Sequence, residues 1–272
     1  MSENLLERTT ADVLRSILDE ATGDLVVVDP NGTVIESLVD IAVDYDGDLP
    51  ALNVLADDRL LKDVMDDFLV AADAADLVDD GGMALRELDG DADNTLLVGE
   101  DELYAVVAAD EQVAALSADD DEFIADAYET YRGRFDDAER FNLRTPAISR
   151  IRTTLDEDIG EAVRADFDGV LESLETARGD GDGLDEVTIS LLVAAKNDVL
   201  LYDISKWGED VGIASKATFS RTKTRLEEMG LIDTEKVPID VGRPRLRLKL
   251  GDDSLRDADS GELASVAHRM LN

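Results

Sequence analysis

Residues 185–250 read DEVTISLLVAAKNDVLLYDISKWGEDVGIASKATFSRTKTRLEEMGLIDTEKVPIDVGRPRLRLKL. Val187, Leu191, Leu192 and Ala195 recur at helical spacing, so the stretch opens on a helix from Asp185 to about Asn197. A second helix runs from Asp203 to about Asp210. Val211-Gly212-Ile213 follows as a turn, where glycine supplies the left-handed backbone that such a turn needs. Ser215 caps a third helix to about Met229, and Gly230 ends it. On that helix Phe219, Leu226 and Met229 fall on the core side, while Ser220, Arg221, Thr224 and Arg225 fall elsewhere. Leu231-Ile232 starts a strand, and Val241-Gly242-Arg243-Pro244-Arg245 turns the chain. Arg245, Arg247 and Lys249 then alternate with Leu246, Leu248 and Leu250, a second strand with one basic and one apolar face. Three helices followed by such a hairpin describe a winged helix-turn-helix.

Charge points to the partner. From Ile213 to Leu250 there are nine basic residues against five acidic ones, a balance of +4 in a chain whose total is -39. A basic island in so acidic a chain suggests a polyanion, and double-stranded DNA fits the motif. The third helix then lies in the major groove, with Ser215, Lys216, Thr218, Ser220 and Arg221 reaching bases or phosphates. Thr224 lies on the same exposed side, and Arg225 suits a phosphate. Arg243 and Arg245 at the wing tip suit the adjacent backbone or minor groove. The plainer alternative is a winged helix used only for protein contact. Thr222 and Lys223 are open between a solvated position and packing against the first helix.

The length of 272 residues suits two domains, with a core supply of 44% apolar residues. No run of about 18 apolar residues occurs, so no membrane span is expected. The first residues, MSENLLERTT, lack the pattern of a signal peptide. Without cysteine there is no disulfide or thiolate chemistry. Carboxylates are dispersed over helical faces, and lysines number seven against nineteen arginines. This composition resembles the proteins of extreme halophiles and places the chain in the cytoplasm of a haloarchaeon; an unusually acidic mesophilic protein is the alternative. At molar salt the Debye length is about 3 Å. Counterion release then contributes little, and base contacts carry more of the affinity.

Upstream, residues 1–143 read as an α/β effector- or sensor-like domain with a mixed sheet. A helix is expected over 2–20, with Leu6, Val13, Leu14, Ile17 and Leu18 on its apolar side. Strands follow at 24–29, 49–56 and 83–88, and 33–45 is ambiguous between strand and helix. A long helix spans Asp58 to Val78. Thr95–Gly99 and Leu103–Ala109 form a hairpin, Gln112–Ser117 adds a strand, and a helix at 119–141 packs through Phe123, Ile124, Ala127, Tyr128 and Tyr131. Residues 144–184 form a helical linker whose 159–177 helix is a candidate dimerisation element or packs on its own domain. Gly179 to Gly183 read as a hinge. The winged helix occupies 185–250, with Trp207 in its core. Residues 251–272 add a C-terminal helix capped by Ser260.

One further cluster stands out. Arg132, Arg134, Arg140, Arg144, Arg150 and Arg152 fall within twenty-one residues. Arginines gather where phosphate or carboxylate is held in bidentate fashion. Arg140, Arg144, Arg150 and Arg152 are therefore candidates for an effector such as a sugar phosphate. Pairing with internal carboxylates, or a second DNA contact, are the alternatives. The one histidine, His268, builds neither a catalytic triad nor a multi-histidine metal site. Asp73, Asp76, Asp79 and Asp80 read as a solvated face. No catalytic residue, metal or cofactor is expected.

SKATFSRTKTRLEEMGLI and VGRPRLRLKL, together with NTLLVGEDELYAVV and AYETYRGRFDDAERFNLRTP, give a sequence that resembles the TbsP family of haloarchaeal transcriptional regulators over nearly its whole length. The resemblance implies a DNA-binding regulator of central sugar metabolism that works beside TrmB-type glucose-responsive regulators. It also implies an N-terminal effector domain similar in role to the sugar-sensing domain of TrmB. Those domains look phospholipase-D-like, and this chain lacks that enzyme's histidine–lysine–aspartate motif. A homodimer on a pseudo-palindromic promoter, modulated by a sugar or sugar phosphate, is the expectation. An architectural or scaffolding DNA binder without ligand control, and a hydrolase using the α/β domain, are the competing ones.

Overall fold

A computed structural model describes residues 4–45, 47–90, 94–109, 112–178, 184–239 and 244–271. The chain divides into two compact units. One holds residues 1–65 and 73–143, the other 66–72 and 144–272.

The first unit is built on β1 (Leu5–Glu7), α1 (Thr10–Glu20), β2 (Leu25–Val28), α2 (Gly32–Val43), β3 (Leu52–Ala56), α3 (Asp58–Val64), α4 (Phe68–Asp79, entering this unit at Asp73), β4 (Met83–Glu87), β5 (Thr95–Val98), β6 (Leu103–Ala109), β7 (Gln112–Ser117) and α5 (Asp121–Asp137). The strands form one sheet in the order β1-β7-β6-β5-β2-β3-β4. β2, β3 and β4 are parallel, because helices make the crossovers between them. β5, β6, β7 and β1 run antiparallel to their neighbours. Every residue of β2, the strand between the parallel and antiparallel parts of the sheet, is buried. Helix α5 packs on Val26, Val28, Leu55, Val98 and Leu103 through Ile124 and Phe135.

Several expectations change here. Residues 2–20 are not one helix: Leu5–Glu7 pairs with β7, and α1 starts only where Thr9 Oγ1 accepts from Asp12 N at 3.1 Å. Leu6 is 62% exposed instead of lying on an apolar helix side. The ambiguous segment 33–45 is mostly helix, since Asn31 Oδ1 caps α2 by accepting from Val34 N at 3.0 Å. The helix expected from Asp58 to Val78 breaks around Asp66 and Asp67. Phe123, placed on the packing side of α5, is 58% exposed.

The second unit holds α6 (Ile148–Asp158), α7 (Glu161–Glu172), α8 (Glu186–Lys196), α9 (Leu201–Val211), α10 (Lys216–Glu228), β8 (Ile232–Val237), β9 (Arg245–Leu250), α11 (Asp253–Asp257) and α12 (Ser260–Leu271). The apolar stripe of α7, Val163, Phe167, Val170 and Leu171, is buried in this unit's core. Asp259, rather than Ser260, caps α12: its Oδ1 accepts from Glu262 N at 2.9 Å, and the Ser260 hydroxyl donates to Asp166. Residues 66–72 belong here for a physical reason. Buried Asp67 accepts through Oδ1 from Leu69 N at 3.0 Å and Ala177 N at 3.1 Å. Phe68 meets Phe167 edge-on at 6.5 Å. The hinge read at Gly179 to Gly183 lies outside the described residues.

Candidate nucleic-acid interface

Local chemistry fixes the three helices. Asp185 Oδ1 accepts from Thr188 N at 2.6 Å and starts α8. Gly212, at φ 102°, ends α9 in the left-handed region. Ser215 Oγ accepts from Thr218 N at 3.2 Å and starts α10. Phe219 is fully buried beside Gly208, where an added Cβ would come within 2.4 Å of its ring. Trp207 is buried and donates through Nε1 to Thr154 Oγ1 at 3.0 Å.

At 100° per residue, the exposed positions of α10 fall on one arc of about 200°. It carries Lys216, Ala217, Ser220, Arg221, Thr224, Arg225 and Glu228, with Thr218 half-buried at its margin. Phe219, Lys223 and Leu226 fall on the remaining arc and are buried. Lys223 lies on the buried side, where its ammonium reaches Glu227 at 2.7 Å, while Met229, read as core-facing, sits at the helix end and is 37% exposed.

The exposed arc is less positive than its residue types suggest. Lys216 Nζ pairs with Glu209 Oε2 at 2.5 Å, and its backbone N donates to Oε1 at 3.2 Å. The hydrogen bond between them raises the lysine pKa and lowers that of the glutamate. Lys206 pairs with Asp210 in the same way. Arg221 Nη2 donates to Thr218 Oγ1 at 3.3 Å, and Arg225 Nη2 to Thr188 Oγ1 at 3.4 Å. Thr224 Oγ1 donates back to Ser220 O at 3.0 Å.

β8 and β9 pair antiparallel from Ile232↔Leu250 to Val237↔Arg245, and Leu200 bridges to Arg247 on the other edge of β9. This packing closes the basic face of β9 over the α8–α9 connection. Arg245 lies 3.9 Å over the Tyr202 ring and 3.3 Å from Asp203, and Lys249 reaches Asp198 at 2.7 Å. Arg245 therefore stands at the turn end of the two-stranded ladder, as read, but its guanidinium is engaged by Tyr202 and Asp203 of α9. Arg243 lies outside the described residues.

The arginine cluster does not come together within either unit. Arg140 belongs to the first unit, and Arg144, Arg150 and Arg152 belong to the second. Arg152 pairs with Asp168 at 2.8 Å, a carboxylate that Arg164 also holds, at 2.6 Å. In the first unit Arg86, Arg132 and Arg134 gather around α5 over Phe135 and Tyr131. Arg86 Nη1 closes the end of α5 by donating to Asp136 O and Ala138 O. A cavity of about 610 Å³ opens at the carboxyl ends of β3 and β4, lined by Asp57, Glu87, Asp89, Arg134 and Glu139 among others. Its residues are scattered along the chain, and no spacing in the sequence announces it.

A left-handed turn between α9 and α10, an exposed polar arc on α10 and a two-stranded wing make the second unit a helix-turn-helix module of the DNA-binding kind. Residues 2–146 match the family described as transcriptional regulator TbsP-like, N-terminal, and residues 147–268 match its C-terminal HTH domain. The chain belongs to the TbsP-like family of transcriptional regulators. No curated protein matches the sequence. Among solved structures the chain is similar to TrmBL2, an archaeal chromatin protein that "shows a novel mode of DNA binding". Identity is 19% and the TM-score 0.37, over 51% of this chain and 54% of that one, so the chain spans about half the length of TrmBL2. Among the described residues no helix is long and apolar enough to cross a membrane.

Proposed function

We propose that this chain is a homodimeric, sequence-specific transcription regulator acting in the cytoplasm of a halophilic archaeon. It binds double-stranded promoter DNA with α10 in the major groove and acts by binding rather than by turnover. The observation that carries the reading is the exposed arc of α10, with Ser220, Arg221, Thr224 and Arg225, in a chain of this family. The ion pairs of Lys216 and Lys206 weaken phosphate-driven binding and so favour base readout over a sequence-independent role. Control of sugar-metabolism genes follows from the family likeness alone. Effector binding has its support in the cavity at the carboxyl ends of parallel strands, the usual ligand position in such sheets. Its carboxylates suit the hydroxyls of a sugar, whereas a sugar phosphate calls for the arginines.

Selection from a random duplex library at molar KCl tests the DNA reading. Arg221→Ala should then cost about 1–3 kcal/mol on the selected site and relax one base preference. Equal affinity for all duplexes would replace the regulator with an architectural DNA binder. A thermal-shift screen with sugars and sugar phosphates tests the effector, since a ligand at 100 times its Kd adds about 2.7 kcal/mol.

A further inference from the structure

The α5 side of the first unit's sheet is covered over only part of its width. Alternate residues of β2, β3 and β5 on that side lie under α5. Across β6, β7 and β1 the same side continues as Ala105, Val107 and Ala109, then Gln112, Ala114 and Leu116, then Leu6. The registers Ala105↔Leu116, Val107↔Ala114 and Leu6↔Ala114 set these residues side by side. Val107 is 42% exposed, Leu116 48% and Leu6 62%. A single exposed leucine is ordinary. A row of apolar residues on a sheet is not, because a layered fold buries each apolar sheet face against something.

The chain carries 65 Asp and Glu in 272 residues, and the outward side of α5 shows the usual pattern with Asp121, Glu122, Asp126 and Glu129. None of the seven positions on the β6–β7–β1 face is charged. We infer that this face docks a second copy of the chain, face to face about a twofold axis. Charge selects that occupant. Each copy has a net charge of -39, so carboxylate-bearing surfaces brought into contact repel at a range that salt does not screen. Two acid-free faces meet without that penalty, and a twofold contact supplies the same face on both sides.

This inference deepens the proposed regulator by naming its dimer surface, and it rests on that reading only for the purpose of the dimer. Sedimentation of the full chain at molar KCl is expected to show a dimer. The double variant Val107→Glu/Leu116→Glu should sediment as a monomer with an unchanged circular dichroism spectrum. Because the natural chain lacks cysteine, Val107→Cys, Ala114→Cys and Leu116→Cys each give one thiol. Oxidation with copper phenanthroline should cross-link at least one of them into covalent dimers, and Ser265→Cys on α12 should stay uncrosslinked. A monomeric parent chain, a double variant that stays dimeric, or no cross-link from any of the three overturns the inference. The two readings fail differently: a dimer that binds no duplex sinks the DNA reading alone, and undiminished full-site binding by a still-dimeric double variant sinks the dimer surface alone.

Discussion

Glu209 holds the ammonium of Lys216 on the exposed arc of α10. Glu209→Gln frees that lysine for phosphate. Binding to an unrelated duplex should tighten at submolar KCl, and the plot of log Kobs against log[KCl] should steepen by about one unit. An unchanged slope would show that Lys216 never reaches DNA. Glu186, in the first turn of α8, is the opposite case: burial, aided by Asp185 and Asp66, raises its carboxyl pKa. A carboxyl whose folded pKa lies above the unfolded one favours folding while protonated. That contribution is lost as pH rises through the ordinary carboxylate range toward the raised value. Glu186→Gln should therefore raise Tm at neutral pH and change it little in acid, and equal shifts in melts at both pH values would refute this.

Elements meet most tightly where side chains are absent. Gly208→Ala gains helix propensity of about 1 kcal/mol. It also drives a methyl to 2.4 Å from the Phe219 ring, an overpacking that costs about 1–3 kcal/mol. The net should be destabilising by Trp207 fluorescence melts. Gly133→Ala on α5 meets nothing within 4 Å and should stabilise its unit by about 0.5–1 kcal/mol. The helices of the winged module were legible because their signals are local: Asp185, Gly212 and Ser215 act within four residues of themselves. β1 was not legible, because its partner β7 lies more than a hundred residues away. The break before α4 was hidden for the same reason, since Asp67 finds its second donor at Ala177. The arginine cluster spans the boundary between two units, which closeness in sequence does not reveal, and the cavity was invisible because its lining assembles from three separate stretches.

At the scale of the whole molecule, the second unit is not a contiguous piece of chain. Phe68 belongs to its core, so Phe68→Ala should destabilise that unit by about 3–5 kcal/mol. Trp207, the one tryptophan, reports on this unit alone in a denaturant titration. A fragment starting at Arg144 lacks both Asp67 and Phe68 and should melt below the intact chain by the same probe. The borrowed segment also orders events on the ribosome. Phe68 is synthesised about a hundred residues before Phe167, its edge-on partner. At roughly 5–20 residues per second, the nascent chain carries an unmatched aromatic for about 5–20 s before its counterpart exists. The rest of the first unit, through Leu143, is synthesised within that same interval, so its sheet acquires its last strands while Phe68 still waits for the unit to which it belongs.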